Sequence, residues 1–243
     1  MKSARPAFYA VEGGRWADLL TLLHPPYTIL HLGFVCLGAA LAPEVRYDRL
    51  LATLVAFFLA VGVAAHLLDE LQGRPLRTSI STVWLKAGAA TSLAVACAIG
   101  IVGAVEISPL LLLFVLAGAS AVVAYNLELF GGLFHGDLQF GLFWGAFPFL
   151  TANWVMTESF DVISVLGAAG CLALTMVQRS LSNPVRRLRR HGKLVEGHVT
   201  YDDGSMVALS RAELIAAPER ALRYLTVAVP MLAAALLAFR ALE

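Results

Sequence analysis

Charge is what this sequence has least of. Only 14% of its 243 residues are Asp, Glu, Lys or Arg, against roughly 25% in an ordinary soluble domain. With 59% hydrophobic residues and a mean hydropathy of +0.76, charge this sparse could not coat a water-soluble 26.0 kDa globule. A soluble enzyme is excluded, and the bilayer is the expected solvent. Cysteine is scarce too. Cys36, Cys97 and Cys171 lie in apolar runs without a CxxC spacing, so they read as small buried hydrophobes and not as a disulfide framework or metal site. A cleavable signal is also missing from residues 1–26, which carry Lys2, Arg5, Glu12, Arg15 and Asp18 and no short apolar stretch before a small-residue cleavage site. Within them, Arg15 to Leu23 reads as an amphipathic helix on the cytoplasmic membrane surface, stopped by Pro25-Pro26. No internal repeat or low-complexity tract divides the chain, so one membrane domain over 1–243 is expected.

What is abundant is continuous apolar sequence. A bilayer core of about 30 Å takes about 20 apolar residues per helix, or about 17 at the low end. Seven windows qualify, at 27–43, 50–68, 87–105, 109–125, 138–156, 160–177 and 222–239. The runs are continuous and not alternating, which predicts an all-α polytopic bundle and excludes lipid-exposed strands. Basic residues set its orientation. Lys2, Arg5 and Arg15 precede the first span, and Arg74, Arg77 and Lys86 separate spans two and three. Arg179, Arg186, Arg187, Arg189, Arg190, Lys193, Arg211 and Arg220 separate spans six and seven, whereas the opposite loops hold only Arg46 and Arg49. The N-terminus is therefore predicted cytoplasmic, in an inner or plasma membrane. The piece from 183 to 219 reads as a cytoplasmic basic loop with a short hairpin, GHVTY and SMVAL around Asp202-Asp203-Gly204. Ser210 and Glu213 then form a capping box that starts the helix into span seven.

Ionisable residues gather at the cytoplasmic ends of these spans. His66, Asp69 and Glu70, at i, i+3 and i+4, share one face of helix two. After helix four, YNLELFGGLFHGD places Tyr125, Asn126, Glu128, His135 and Asp137 at the same depth, with no Lys or Arg inside that segment to pair its carboxylates. Carboxylates and imidazoles without a local counter-ion suit a divalent cation facing a phosphorylated substrate, and buried ionisable groups in a membrane point to a site. Arg74, Arg77, Arg179 and Arg186 supply the guanidinium half of a diphosphate clamp. His24, Tyr27 and His31, around the start of span one, are candidate substrate contacts. Each has a plainer alternative: acidic residues as helix-end boundary, the RRLRR run as a lipid anchor, His31 as a core histidine, and Gly141 and Gly145 as a close-packing pair.

With these residues in view, the layout resembles the UbiA-type intramembrane prenyltransferases. That family is all-helical, usually with nine spans, and carries an NxxxDxxxD-like motif after helix two, followed by an Arg-Pro element. HLLDELQGRPLRTSIS looks like a reduced version, with Asp69 and Glu70 at acidic positions and Arg74-Pro75 at the basic one. HPPYT is similar to the family's opening of span one, and Tyr125 to a tyrosine before the fourth cytoplasmic loop. The second DxxxD motif is missing, with SLSNPVRRLRR in its place, and the chain is two spans shorter. The resemblance implies a metal-dependent prenyltransferase joining an isoprenoid diphosphate to a lipid-soluble acceptor. Asp69, Glu70, Tyr125 and Asn126 would be its catalytic residues. Metal ligands would be His66, Asp69, Glu70, Glu128, His135 and Asp137, with Mg²⁺ the expected ion and Zn or Fe the alternative. Nucleic acid is not an expected partner; membrane lipid is. Two other readings stay open: a His/carboxylate metalloenzyme acting on a lipid, and a non-catalytic membrane subunit.

Overall fold

The computed structural model describes residues 6–11 and 13–242, so Lys2, Arg5 and Glu12 lie outside the described residues. The chain is an all-α membrane helix bundle. Its helices are α1 (Gly14–Leu22), α2 (Pro25–Ala40), α3 (Tyr47–Leu71), α4 (Thr82–Glu106), α5 (Leu111–Asn126), α6 (137–157), α7 (Val162–His191) and α8 (Arg211–Leu242). Among the described residues five stretches are long and apolar enough to cross a membrane: Gly14–Ala40, α3, α4, α7 and α8. The apolar α5 is shorter, at 16 residues.

Local chemistry explains the helix ends. Pro25 and Pro26 occupy the first turn of α2, where a missing N–H costs nothing, and His24 before them turns the chain with a left-handed φ of 45°. α7 starts on a capping box between Asp161 and Ser164, and Ser210 and Glu213 cap α8 reciprocally as their spacing predicts. The expected hairpin is present as β1 (His198–Thr200) antiparallel to β2 (Met206–Ala208). One boundary differs from expectation. Residues 183–191 are helical and belong to α7, so the connecting segment starts at Gly192. Pro184 is carried inside that helix, and Arg189 reaches across to Glu219 of α8 in a bidentate pair at 2.5 and 2.9 Å. The basic run is thus a helix end braced against α8.

α2 is the core helix. Leu30, Phe34, Val35 and Ala39 are fully buried between α8 and the second half of α6. Small residues set these close approaches: Gly33 lies against Pro230, and a Cβ on Gly38 would overlap the Phe149 carbonyl. Gly141 and Gly145 press α6 onto Met176, Cys171 and Thr175 of α7, which is the packing role their spacing suggests. The outward faces of α4, α5, α7 and α8 present Val105, Leu113, Leu116, Leu166 and Leu232 to the surroundings, as lipid contact requires. The three cysteines are free thiols.

Two stretches widen into π-helix: Phe58–Ala65 within α3 and Leu142–Ala146 within α6. Such insertions disturb the i→i−4 ladder and recur at functional sites. Here Val61, Ala64 and Ala65 of one pack with Trp144 of the other, beside Val122 and Tyr125 of α5.

Candidate functional site

At the end of the bundle where α2 starts and α3 ends, a cavity of about 90 Å³ opens beside these two widened turns. His24, Tyr27 and His31 of the α2 end face it, as do His66 and Asp69 of α3. Tyr125 and Asn126 close one side with His135, and Arg179 and Arg186 of α7 another. Ten of the expected site residues are therefore brought together.

The imidazoles are held in one way. Nδ1–H of His31 donates to the Trp144 carbonyl (2.7 Å), that of His66 to Gly62 (3.0 Å) and that of His135 to Tyr125 (2.8 Å). A carbonyl can only accept, so each neutral ring carries its proton on Nδ1 and keeps the Nε2 lone pair. Gly62 and Trp144 lie within the two π segments, so the widened turns position the histidines. His24 completes the set: its Nδ1 lies 2.9 Å from the Tyr9 hydroxyl, its ring stacks on His66, and its Nε2 is buried without a partner. Tyr125 stacks on His135 with centroids 4.4 Å apart, and its hydroxyl is likewise buried and unpartnered.

Five expected residues are placed elsewhere, each for a local reason. Glu70 is fully buried and turned away from Asp69. Its carboxylate accepts the Leu76 and Thr78 amides at 2.9 Å and the Thr78 hydroxyl at 2.8 Å, so it organises the 72–81 loop. Arg74 serves the same loop, donating to the Ile80 carbonyl (2.5 Å) and Thr82 Oγ1 (3.0 Å). Arg77 is exposed and off the cavity wall. Glu128 is exposed too, 3.9 Å from His135 Nε2. Asp137 is not without a counter-ion: Arg179 Nε donates to it at 2.6 Å and Asn183 at 3.4 Å, and the Arg179 bond holds its carboxyl below the usual range. The six-residue ligand set is not assembled. Only His66, Asp69 and His135 of it line the cavity, and among the described residues no three His, Cys, Asp or Glu side chains converge as ligands to one ion would.

Among the wall residues that sequence reasoning missed, three are polar: Tyr9, Gln178 and Ser182. For two of them a signal existed. Gln178, Arg179, Ser182 and Arg186 fall at i, i+1, i+4 and i+8, a polar stripe along α7. Tyr9 comes from the N-terminal segment, which is fixed by Arg223 over the Phe8 ring (4.9 Å) and by the Val11 amide donating to Thr21 Oγ1 (2.9 Å). Burial keeps the Tyr9 phenol protonated, its pKa well above the ordinary value.

A second concavity adjoins the first. It is an apolar groove of about 690 Å³ between α3, α4, α5 and α6, floored by such residues as Ala56, Ala96, Gly118 and Phe147. Val61 and Trp144 line both spaces, so the polar cavity and the apolar groove meet at these two side chains. No family model matches the chain, and no curated protein or solved structure shows similarity to it.

Proposed function

We propose that the chain is a UbiA-like membrane enzyme that transfers an isoprenoid from a prenyl diphosphate to a lipid-soluble acceptor, with its site at the cytoplasmic end of a seven-span bundle. One observation carries this reading: a polar, arginine-bearing cavity shares Val61 and Trp144 with a long apolar groove. That pairing fits an amphiphile with a small anionic head and an extended hydrocarbon tail. The groove residues on α3 run from Asp48 to Val61, and thirteen steps of about 1.5 Å give about 20 Å of reach. A tail entering it would place its first carbons beside Trp144 and Tyr125.

The chain's own residues then have distinct tasks. Arg179 meets Asp137 through Nε, which leaves its terminal nitrogens for phosphate oxygens, and Arg186 approaches from the next turn but one of α7. Two guanidinium groups fixed before the substrate arrives would stabilise the charge that grows on the departing diphosphate. The Tyr125 hydroxyl, lacking a protein partner, is available to the same oxygens. Asp69 is the one carboxylate on the wall and sits in the field of Arg190 and Arg186, balancing their charge while the site is empty of substrate. The Mg²⁺ implied by the resemblance does not find an assembled ligand group, and no step here depends on it.

The test is a transfer assay on the protein in liposomes with radiolabelled prenyl diphosphates of several chain lengths, with and without Mg²⁺. Release of diphosphate with formation of a prenylated lipid supports the proposal. Failure of every donor to bind or react overturns it.

A further inference from the structure

We infer that the β1–β2 hairpin joins this chain to a second copy of itself, β2 against β2, in one four-stranded sheet. The pairing does not depend on prenyl transfer. Two strands alone are marginal in water and need further strands, or a helix beneath them, to be stable. Here all six strand residues are exposed, so neither face of the ribbon is laid on the helices. Val199, Tyr201 and Val207 share one face, each well exposed, and Met206 on the other is 61% exposed. Something outside the single chain completes this ribbon.

The open edge is that of β2. The Tyr201 amide donates to the Ser205 carbonyl and the Leu209 amide to the Gly197 carbonyl, both at 2.9 Å. Hydrogen-bonded and non-bonded pairs alternate along an antiparallel ladder. Val199 and Val207 are thus the bonded pair between these two, and Met206 and Ala208 direct their N–H and C=O groups away from β1. Natural edges are ordinarily blunted by Lys, Pro, an inward charge or a bulge. Residues 205–209 read SMVAL and have none of these, and their register with β1 is unbroken.

Charge selects the occupant. The segment 193–209 carries Glu196, Asp202 and Asp203 against Lys193 alone, so an anionic membrane surface repels it. Pairing through β1 fails for a related reason. The register that bonds His198 to Thr200 of the other copy sets Glu196 opposite Asp202, acid against acid, on both sides of the axis. β2 behaves in the opposite way. Bonding Met206 to Ala208 of the other copy uses every outward N–H and C=O of both residues and sets Val207 against Val207 on a two-fold axis. Counting outward in that register, Asp203 of each copy falls toward Arg211 of the other, at the start of α8. Asp203 accepts the Ser205 amide at Oδ1 (2.8 Å), and its Oδ2 meets no donor among the described residues. A two-fold axis along the membrane normal suits two chains inserted the same way in one bilayer, so the assembly closes as a dimer.

The experiment uses the full chain in liposomes, with Cys36, Cys97 and Cys171 retained. Val207 and its counterpart form a non-hydrogen-bonded pair with Cα atoms about 4.5 Å apart, within disulfide reach. Val207→Cys should therefore cross-link to a dimer under mild oxidation. Val199→Cys, three strand spacings of about 4.8 Å from its counterpart, should not, and neither should the parent protein. Met206→Pro and Ala208→Pro each remove an outward N–H that β1 does not use, which keeps the hairpin and deletes half of the bonds between copies. Each should lower the dimer association constant by about tenfold or more, read by single-molecule photobleaching over a dilution series in lipid. Equal cross-linking at positions 199 and 207, or unchanged association in both proline variants, overturns the inference. A monomer at every protein density also overturns it, as expected if a different protein covers the strand. So does quenching by spin-labelled lipid of a fluorophore attached through Val207→Cys, which would put the ribbon on the membrane.

Discussion

The rings of His24 and His66 lie face to face, with centroids 4.1 Å apart and planes 11° from parallel. The contact joins the first residue before α2 to the last turns of α3, across a bend and a widened helix that are each unusual alone. His66 can meet His24 because its Nδ1–H is tied back to Gly62, which fixes the ring's plane. Tyr9 then closes the N-terminal segment over the pair. The stack therefore makes the chain before α2 part of the cavity wall, which a count of apolar spans would assign to a surface tether.

Glu70 and Asp69 should separate cleanly in a stability measurement. Glu70→Ala strands the Leu76 and Thr78 amides and the Thr78 hydroxyl in a buried loop, and one unsatisfied buried partner costs about 1–3 kcal/mol. In a protein of this size the expected fall in Tm is about 5 °C. Asp69→Ala removes a cavity carboxylate that has no hydrogen-bond donor among the described residues, so it should leave Tm nearly unchanged while lowering the Kd for a prenyl diphosphate, because the arginines lose the charge that balances them in the empty site. Thermal unfolding in detergent, run beside donor binding, checks both.

The arginines divide in the same way. Arg186→Gln and Arg179→Gln remove charge from the cavity wall, and each should raise the Kd for a prenyl diphosphate by about tenfold or more. Arg74→Gln removes donors to Ile80 and Thr82 and should lower Tm with the donor Kd within about twofold. Equal effects of Arg74 and Arg186 on donor affinity would contradict this division. Titration of the labelled donor by equilibrium binding to the liposomes measures it.

Asp137 gives a pH dependence with a definite sign. Its carboxyl is held below the ordinary 3.8 by the Arg179 hydrogen bond, so its folded value lies under its unfolded one. The bridge therefore contributes fully above the ordinary carboxylate range and is lost as pH falls through the depressed folded value. Since Asp137 is 55% exposed, the effect on stability is small. Arg179, however, loses the partner that orients it. Donor affinity should be flat from neutral pH down through the ordinary carboxylate range and weaken only below it, as pH falls through the depressed folded value, and Asp137→Asn should show the weakened affinity at every pH. Donor binding measured across a pH series tests this.

Much of the fold is legible because a bilayer leaves the chain few choices. Long apolar runs, the Pro25-Pro26 start, the Ser210 capping box and the hairpin turn all act locally, and each is found where its residues are. The gathering of Asp69, Tyr125, His135 and the histidines of α2 was likewise readable, from depth along successive helices. What local reasoning could not decide is which neighbour a side chain answers to. Asp69 and Glu70 are adjacent, and consecutive helix positions point about 100° apart, so one faces the cavity and the other the loop. Asp137 finds its cation 42 residues away on α7. The π turns at Phe58–Ala65 and Leu142–Ala146 leave no periodic signal, yet they present the carbonyls that orient His66 and His31.

The groove makes the last prediction, because its length is fixed by the helices that wall it. Ala56 of α3 lies between the polar junction at Val61 and the far end at Asp48, in a groove that Ala96 and Gly118 also line. From Val61 to Ala56 is five helix steps, or about 7.5 Å, so a phenyl ring at position 56 closes the groove partway along and leaves the entrance at Trp144 open. Ala56→Phe should therefore spare short prenyl diphosphates and penalise long ones, lowering kcat/KM for a twenty-carbon donor by about tenfold relative to a ten-carbon donor, since the displaced hydrocarbon loses about 0.8 kcal/mol for each buried methylene. A parallel substitution at the entrance, Val61→Phe, should penalise both donors alike. Competition between the two labelled donors in one assay reads the ratio directly; an unchanged ratio in Ala56→Phe would mean that the tail does not lie in this groove.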